Sequence, residues 1–97
     1  MYCLIARNQI KPSQTDAFAK ALKGFLPTLK KNPGFRAIYA MAGPKGEYTA
    51  IVLWDSRTDA ENYAKSPSRL KFIADAKGML EGDMKSQFGD VIFSATA

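Results

Sequence analysis

The spacing of apolar residues changes period several times along the chain, and that rhythm limits the available folds more than any other feature. Residues 2–10, YCLIARNQI, are a run of strand formers closed by Lys11-Pro12. Cys3 and Ile5 fall on one side of such a strand, and Tyr2, Leu4, Ala6 and Asn8 on the other, so both sides are largely apolar up to Arg7. A strand apolar on both sides is covered on both sides. The period then lengthens. Phe18, Leu22, Phe25 and Leu29 fall at i, i+4, i+7 and i+11, the stripe of an amphipathic helix, while Lys20, Lys23 and Lys30 take its other side. Ser13 or Thr15 is the expected N-cap, and Asp16 suits the positive end of the helix dipole. Pro27 cannot donate to the carbonyl of Lys23, which predicts a kink or restart. Asn32-Pro33-Gly34 ends the segment.

Period two then returns twice. FRAIYAMA (35–42) and EYTAIVLWD (47–55) flank Gly43-Pro44-Lys45-Gly46, the pattern of a hairpin with a four-residue loop. Phe35, Ala37, Tyr39 and Met41 share one face of the first strand; Tyr48, Ala50, Val52 and Trp54 share one face of the second. A helix follows, capped by Ser56 or Thr58, with Glu61 placed to close a capping box with Thr58. Pro67 suits the first turn of a further helix, whose apolar stripe reads Leu70, Ile73, Ala74 and Ala76 or Lys77. QFGDVIFSATA (87–97) reads as a last strand. The order β-α-β-β-α-β is the ferredoxin-like pattern of an α+β fold with an antiparallel four-stranded sheet, expected here as one domain over residues 1–97. Helices cover one face of such a sheet. The residues left for the other face are also largely apolar, which predicts a homodimer packed sheet to sheet.

Composition excludes several kinds of chemistry. The chain has no histidine, which rules out a histidine base, a histidine triad and a histidine metal or haem ligand. Cys3 is the lone cysteine, so no internal disulfide forms, and it reads as a buried inert thiol. The net charge is +5, but the basic residues are dispersed and only Lys30 and Lys31 adjoin, a pattern that argues against a nucleic-acid partner. No apolar run approaches the roughly 20 residues of a membrane span, and MYCLIA is too short for a leader, so no membrane partner and a cytoplasmic location are expected. No dinucleotide fingerprint, phosphate loop or metal-ligand cluster occurs, and no cofactor is expected. Asp55, Asp59 and Glu61 lie where a helix N-terminus favours negative charge, so they are no acid/base pair.

Three strings carry a family resemblance: PGF opening the second strand, VLWDS closing the third, and AENYAKSP in the helix that follows. Their order and spacing resemble the antibiotic biosynthesis monooxygenase domain family of dimeric α+β barrels. The resemblance implies a homodimer with a pocket between sheet and helices in each subunit. Some members oxygenate polycyclic phenols or quinols with dioxygen, using neither metal nor flavin. Others bind haem and break its ring, and others have no known activity. The haem-degrading branch has an asparagine near the end of strand one, which Asn8 matches, and an aromatic, typically tryptophan, where this chain has Tyr63. Its histidine ligand falls near Phe72 or Ile73 here.

With that resemblance, Asn8, Trp54 and Tyr63 are the expected catalytic residues. Asn8 is a neutral amide able to hydrogen-bond a developing phenolate. Trp54 offers a stacking face or an indole N–H, and Tyr63 a hydroxyl. Tyr39, Met41 and Phe72 are the expected substrate-binding walls. The function this supports is cofactor-independent oxidation of a small phenol or quinol by dioxygen. The alternatives are a non-catalytic member and a haem-binding or haem-degrading one. The base would be the substrate's own acidity, a water on Asn8, or a tyrosinate.

Overall fold

The computed structural model describes residues 1–97. Its elements are β1 (Tyr2–Gln9), α1 (Thr15–Lys30), β2 (Phe35–Ala42), β3 (Glu47–Trp54), α2 (Arg57–Ala64), α3 (Pro67–Ala76) and β4 (Lys85–Asp90). The four strands form one antiparallel sheet in the order β2-β3-β1-β4. This is the ferredoxin-like α+β arrangement that the change of period predicts.

Cross-strand pairing sorts the sheet into two faces. Leu4 pairs with Val52 and Phe88, Ala6 with Ala50 and Ser86, and Asn8 with Tyr48, so these side chains share the face under the helices. Cys3, Ile5, Ile51, Leu53, Ala37, Tyr39 and Met41 occupy the outer face, and Arg7, Gln9, Glu47, Thr49, Lys85 and Gln87 make its other end polar. A bulge between Phe35 and Ala37 interrupts the expected alternation of β2. The extra residue, Arg36, turns Phe35 to the helix face, where it meets Trp54 edge-on at 5.8 Å. Phe35 therefore does not share a face with Tyr39 and Met41.

Two glycines explain local features of the chain path. Gly34 of the PGF string has φ +79°, and a side chain there would collide with Asp59. Gly46 in the hairpin has φ +83°, and a Cβ would lie 2.7 Å from the carbonyl oxygen of Ile10. The left-handed backbone and the close approach both require glycine.

The helices depart from expectation in four places. Helix α1 runs through Pro27 without a break. Pro27 and Lys23 are both exposed, so the freed carbonyl has access to water. Its cap position is Gln14, preceded by a 3-10 turn, with no side-chain cap bond from Ser13 or Thr15. Helix α2 is capped by Ser56, whose Oγ accepts from the Asp59 N–H at 3.2 Å, while Glu61 pairs with Arg57. The inward stripe of α3 is Arg69, Phe72, Ile73 and Ala76; Leu70 is 54% exposed and Ala74 is exposed.

The last strand is Lys85–Asp90, not 87–97. Its Ser86 and Phe88 face the helices while its outer side chains are polar, as an edge strand tolerates. Val91 donates one further bond to Met1, and Ile92 and Phe93 are exposed beyond it. No helix is long and apolar enough to cross a membrane.

Candidate active site

The core has two clusters. One gathers Tyr2, Leu4, Leu29, Val52, Trp54, Ala60 and Tyr63; the other gathers Ile10, Phe18, Ala76 and Leu80. A cavity opens between them, under the helices. Strand β1 lines it with Leu4, Ala6 and Asn8, and helix α1 with Phe18, Leu22, Phe25 and Leu29. Ile38, Tyr48, Ala50, Val52, Tyr63, Phe72, Ile73, Arg69 and Met84 complete the wall. Within it the centre of a water molecule can range over about 40 Å³. Atom-free space reaches about 510 Å³ only when solvent before the mouth is included. The closed cavity therefore holds a few waters, and a ring-sized ligand needs wall side chains to move. Phe25 and Phe72, stacked at 4.7 Å, are the pair between α1 and α3 that such movement would part.

Asn8 is the one polar residue in the buried set, at 7% exposure. Its Oδ1 is enclosed and has no hydrogen-bond partner. Buried polar atoms almost always have a partner, and Asn8 is one of the residues that line the cavity. Tyr63 is also buried, and its ring stacks on Trp54 at 4.9 Å with the Arg69 guanidinium 5.7 Å from its centroid. Burial raises the Tyr63 pKa above the ordinary tyrosine value, and the nearby Arg69 charge only partly offsets this. The phenol stays protonated at neutral pH. Burial thus favours the neutral phenol, a hydrogen-bond donor, over the tyrosinate.

The expected site residues separate into three places. Asn8, Tyr63 and Phe72 all line the cavity. Trp54 is fully enclosed behind Tyr63, does not line the cavity, and its Nε1 has no partner. Trp54 pairs with Tyr2 and Asn8 with Tyr48, which puts them six residues, about 20 Å, apart along the strands. Tyr39 and Met41 lie on the outer face, each 64% exposed, and the structure does not bring them to the cavity. Ile38 is the β2 residue that does line it, because alternation sends its neighbour Tyr39 outward. Arg69, which by sequence reads like Arg36 as a surface cation able to hold an anionic group, lies in the wall instead, and Tyr48 is a wall residue that sequence reasoning passed over. The i, i+3, i+4, i+7 spacing of Arg69, Phe72, Ile73 and Ala76 was the available signal for Arg69.

The residues present do not fit haem. The chain has no histidine, and Phe72 and Ile73 are hydrocarbon walls at the place of the expected ligand. The open space is far below that of a porphyrin.

Comparison with known proteins places this architecture. No curated protein sequence matches the chain. Among solved structures, a Nitrosomonas europaea protein provisionally named an antibiotic biosynthesis monooxygenase superimposes with a TM-score of 0.84 at 16% identity, covering 96% of this chain and 100% of its own. Rv0793 from Mycobacterium tuberculosis gives 0.83 at 19% identity, with 98% of both chains covered. SnoaB, a cofactor-independent oxygenase from Streptomyces nogalater, gives 0.83 at 12% identity, with 96% and 94% covered. At these identities the likeness speaks for the fold alone. The family model described as antibiotic biosynthesis monooxygenase matches residues 1–75, a span that takes in every cavity residue except Met84, and the chain belongs to that family.

Proposed function

We propose that the chain is a cofactor-independent monooxygenase that oxidises a small hydroxylated aromatic with dioxygen in the cavity under the helices. The observation that carries this reading is the enclosed, unpartnered Oδ1 of Asn8 in a chamber lined mostly by apolar side chains. A phenolic O–H donates to that oxygen. Accepting it lets electron density build on the ring, while the apolar wall strips water from the reactants and holds them together. The ring supplies all four electrons that dioxygen takes up. One oxygen atom bonds to a ring carbon and becomes the second carbonyl of a quinone. The other leaves as water with the ring hydrogen and the phenolic hydrogen. Phenol and dioxygen thus give quinone and water, with no further reductant. Tyr63, held protonated by burial, donates to the departing oxygen. Trp54 acts through Tyr63 as a positioning residue, and Phe72 as a wall. Tyr39 and Met41 belong to an outer face that a second copy of the chain covers.

A second reading, a non-catalytic member of the family, is favoured by the small closed volume of the cavity. An oxygen electrode separates the two. Phenols and hydroquinones are supplied in chelator-treated buffer, with ¹⁸O₂ as the oxidant. The expected result is uptake above the protein-free rate, one labelled oxygen per quinone, and loss of both in Asn8→Leu. Uptake at the autoxidation rate across the panel overturns the proposal in favour of the second reading.

A further inference from the structure

Arg69 is the one charged side chain in the cavity wall, and no carboxylate answers it. The three ion pairs of the protein are Arg36–Asp55, Arg57–Glu61 and Lys71–Asp75. Arg69 instead points its fork at neutral acceptors: the Ala64 carbonyl at 3.3 Å, Ser86 Oγ at 3.2 Å and, weakly, Met84 Sδ at 4.0 Å. A guanidinium has five N–H groups in a plane, so donors remain free. A half-buried charge without a counterion is costly, and a carboxylate is the acceptor whose shape matches the fork.

The sheet register places the serine that Arg69 touches close to the other polar group. Ser86, which Arg69 touches, pairs with Ala6, and Asn8 is the next residue of β1 on the same face. That step is about 7 Å along β1, so the serine that anchors Arg69 and Asn8 lie at neighbouring inward positions of adjacent strands. The cavity volume also excludes a polycyclic occupant without wholesale movement of the wall.

We propose that Arg69 is a specificity-determining residue, and that the cavity takes a single-ring aromatic carrying a hydroxyl at the Asn8 end and a carboxylate at the Arg69 end. The inference rests on the reading of this cavity as the site. It narrows the substrate class from phenols in general to hydroxyaromatic acids. The net charge of +5 favours the approach of such anions. Arg69 also tethers the end of α2 through Ala64, a purely structural role that has no bearing on a ligand's charge.

Calorimetric titration with 4-hydroxybenzoate and its neutral analogue 4-hydroxybenzyl alcohol tests the assignment. Wild-type protein is expected to bind the acid about tenfold or more tightly than the alcohol, as a charge-assisted fork implies. Arg69→Gln should lose the preference for acid over alcohol, and Arg69→Lys should keep part of it. The wild-type comparison decides the matter if Arg69→Gln does not fold. Equal affinities for acid and alcohol, or a preference that survives in Arg69→Gln, overturn the role of Arg69 and leave the proposed oxygenase standing. Binding of neither compound overturns both.

Discussion

A carboxamide oxygen enclosed without a partner costs the folded state about 1–3 kcal/mol, and Asn8 bears that cost near the end of β1. Leucine has nearly the same shape and no polar atom. Asn8→Leu is therefore expected to raise stability in urea by about 1–3 kcal/mol while abolishing phenol-dependent oxygen uptake. A destabilised variant would show instead that the amide supports the fold. Tyr63 makes a second expectation at this scale. Its folded pKa lies above the ordinary value of 10.0, so the folded state holds the phenolic proton more tightly than the unfolded chain. The corresponding stability is fully present below about pH 10 and is lost as pH rises through the folded pKa. Urea unfolding between pH 8 and pH 11 should show a fall in stability that Tyr63→Phe makes shallower. An identical slope in the variant would mean that Tyr63 does not carry it.

Between residue and molecule, the caps show how sequence signals compete. The spacing of Thr58 and Glu61 suits a capping box, yet the chain uses Ser56 with the N–H of Asp59, and Glu61 turns to Arg57 on the surface. Ser56→Ala is expected to lower stability by about 1 kcal/mol, with Glu61→Ala leaving the thermal midpoint in place; the reverse order in thermal melts would restore the Thr58 box. The first three strands and all three helices were legible because their periods are distinct. The last strand was not. KSQFGD gives Ser86, Phe88 and Asp90 to the helix side, with Phe88 the one apolar residue among them, and has a polar outer side, so it carries little alternation. VIFSATA, rich in strand formers, drew the reading past it. The same logic hid the inner face of α3, where a charged residue takes a place on the stripe that Leu70 and Ala74 seemed to fill.

For the molecule as a whole, thirteen of 97 residues are buried, a small core even for a chain of this size. Exposed Tyr39 and Met41 stand on an outer face that continues through Ile5, Ile51 and Leu53. Sedimentation at micromolar concentration is expected to give twice the 10.7 kDa chain mass. A Tyr39→Asp, Met41→Asp double variant should give the single mass, and a wild-type monomer would remove the second copy from the proposal. Two apolar strand faces were legible in the sequence, but not where along a face the cavity lies. Asn8 and Trp54 share a face and read as neighbours of one pocket; only the antiparallel register shows them about 20 Å apart. We read Asn8 Oδ1 as the acceptor of a ligand hydroxyl, and that reading joins fold to function. Nitrogen-15 correlation spectra recorded while hydroquinone is titrated in test this most directly. Shifts are expected at the Asn8 side-chain amide and at the backbone amides of Phe18, Tyr48 and Phe72, and shifts confined to the outer face, or none at Asn8, would contradict it.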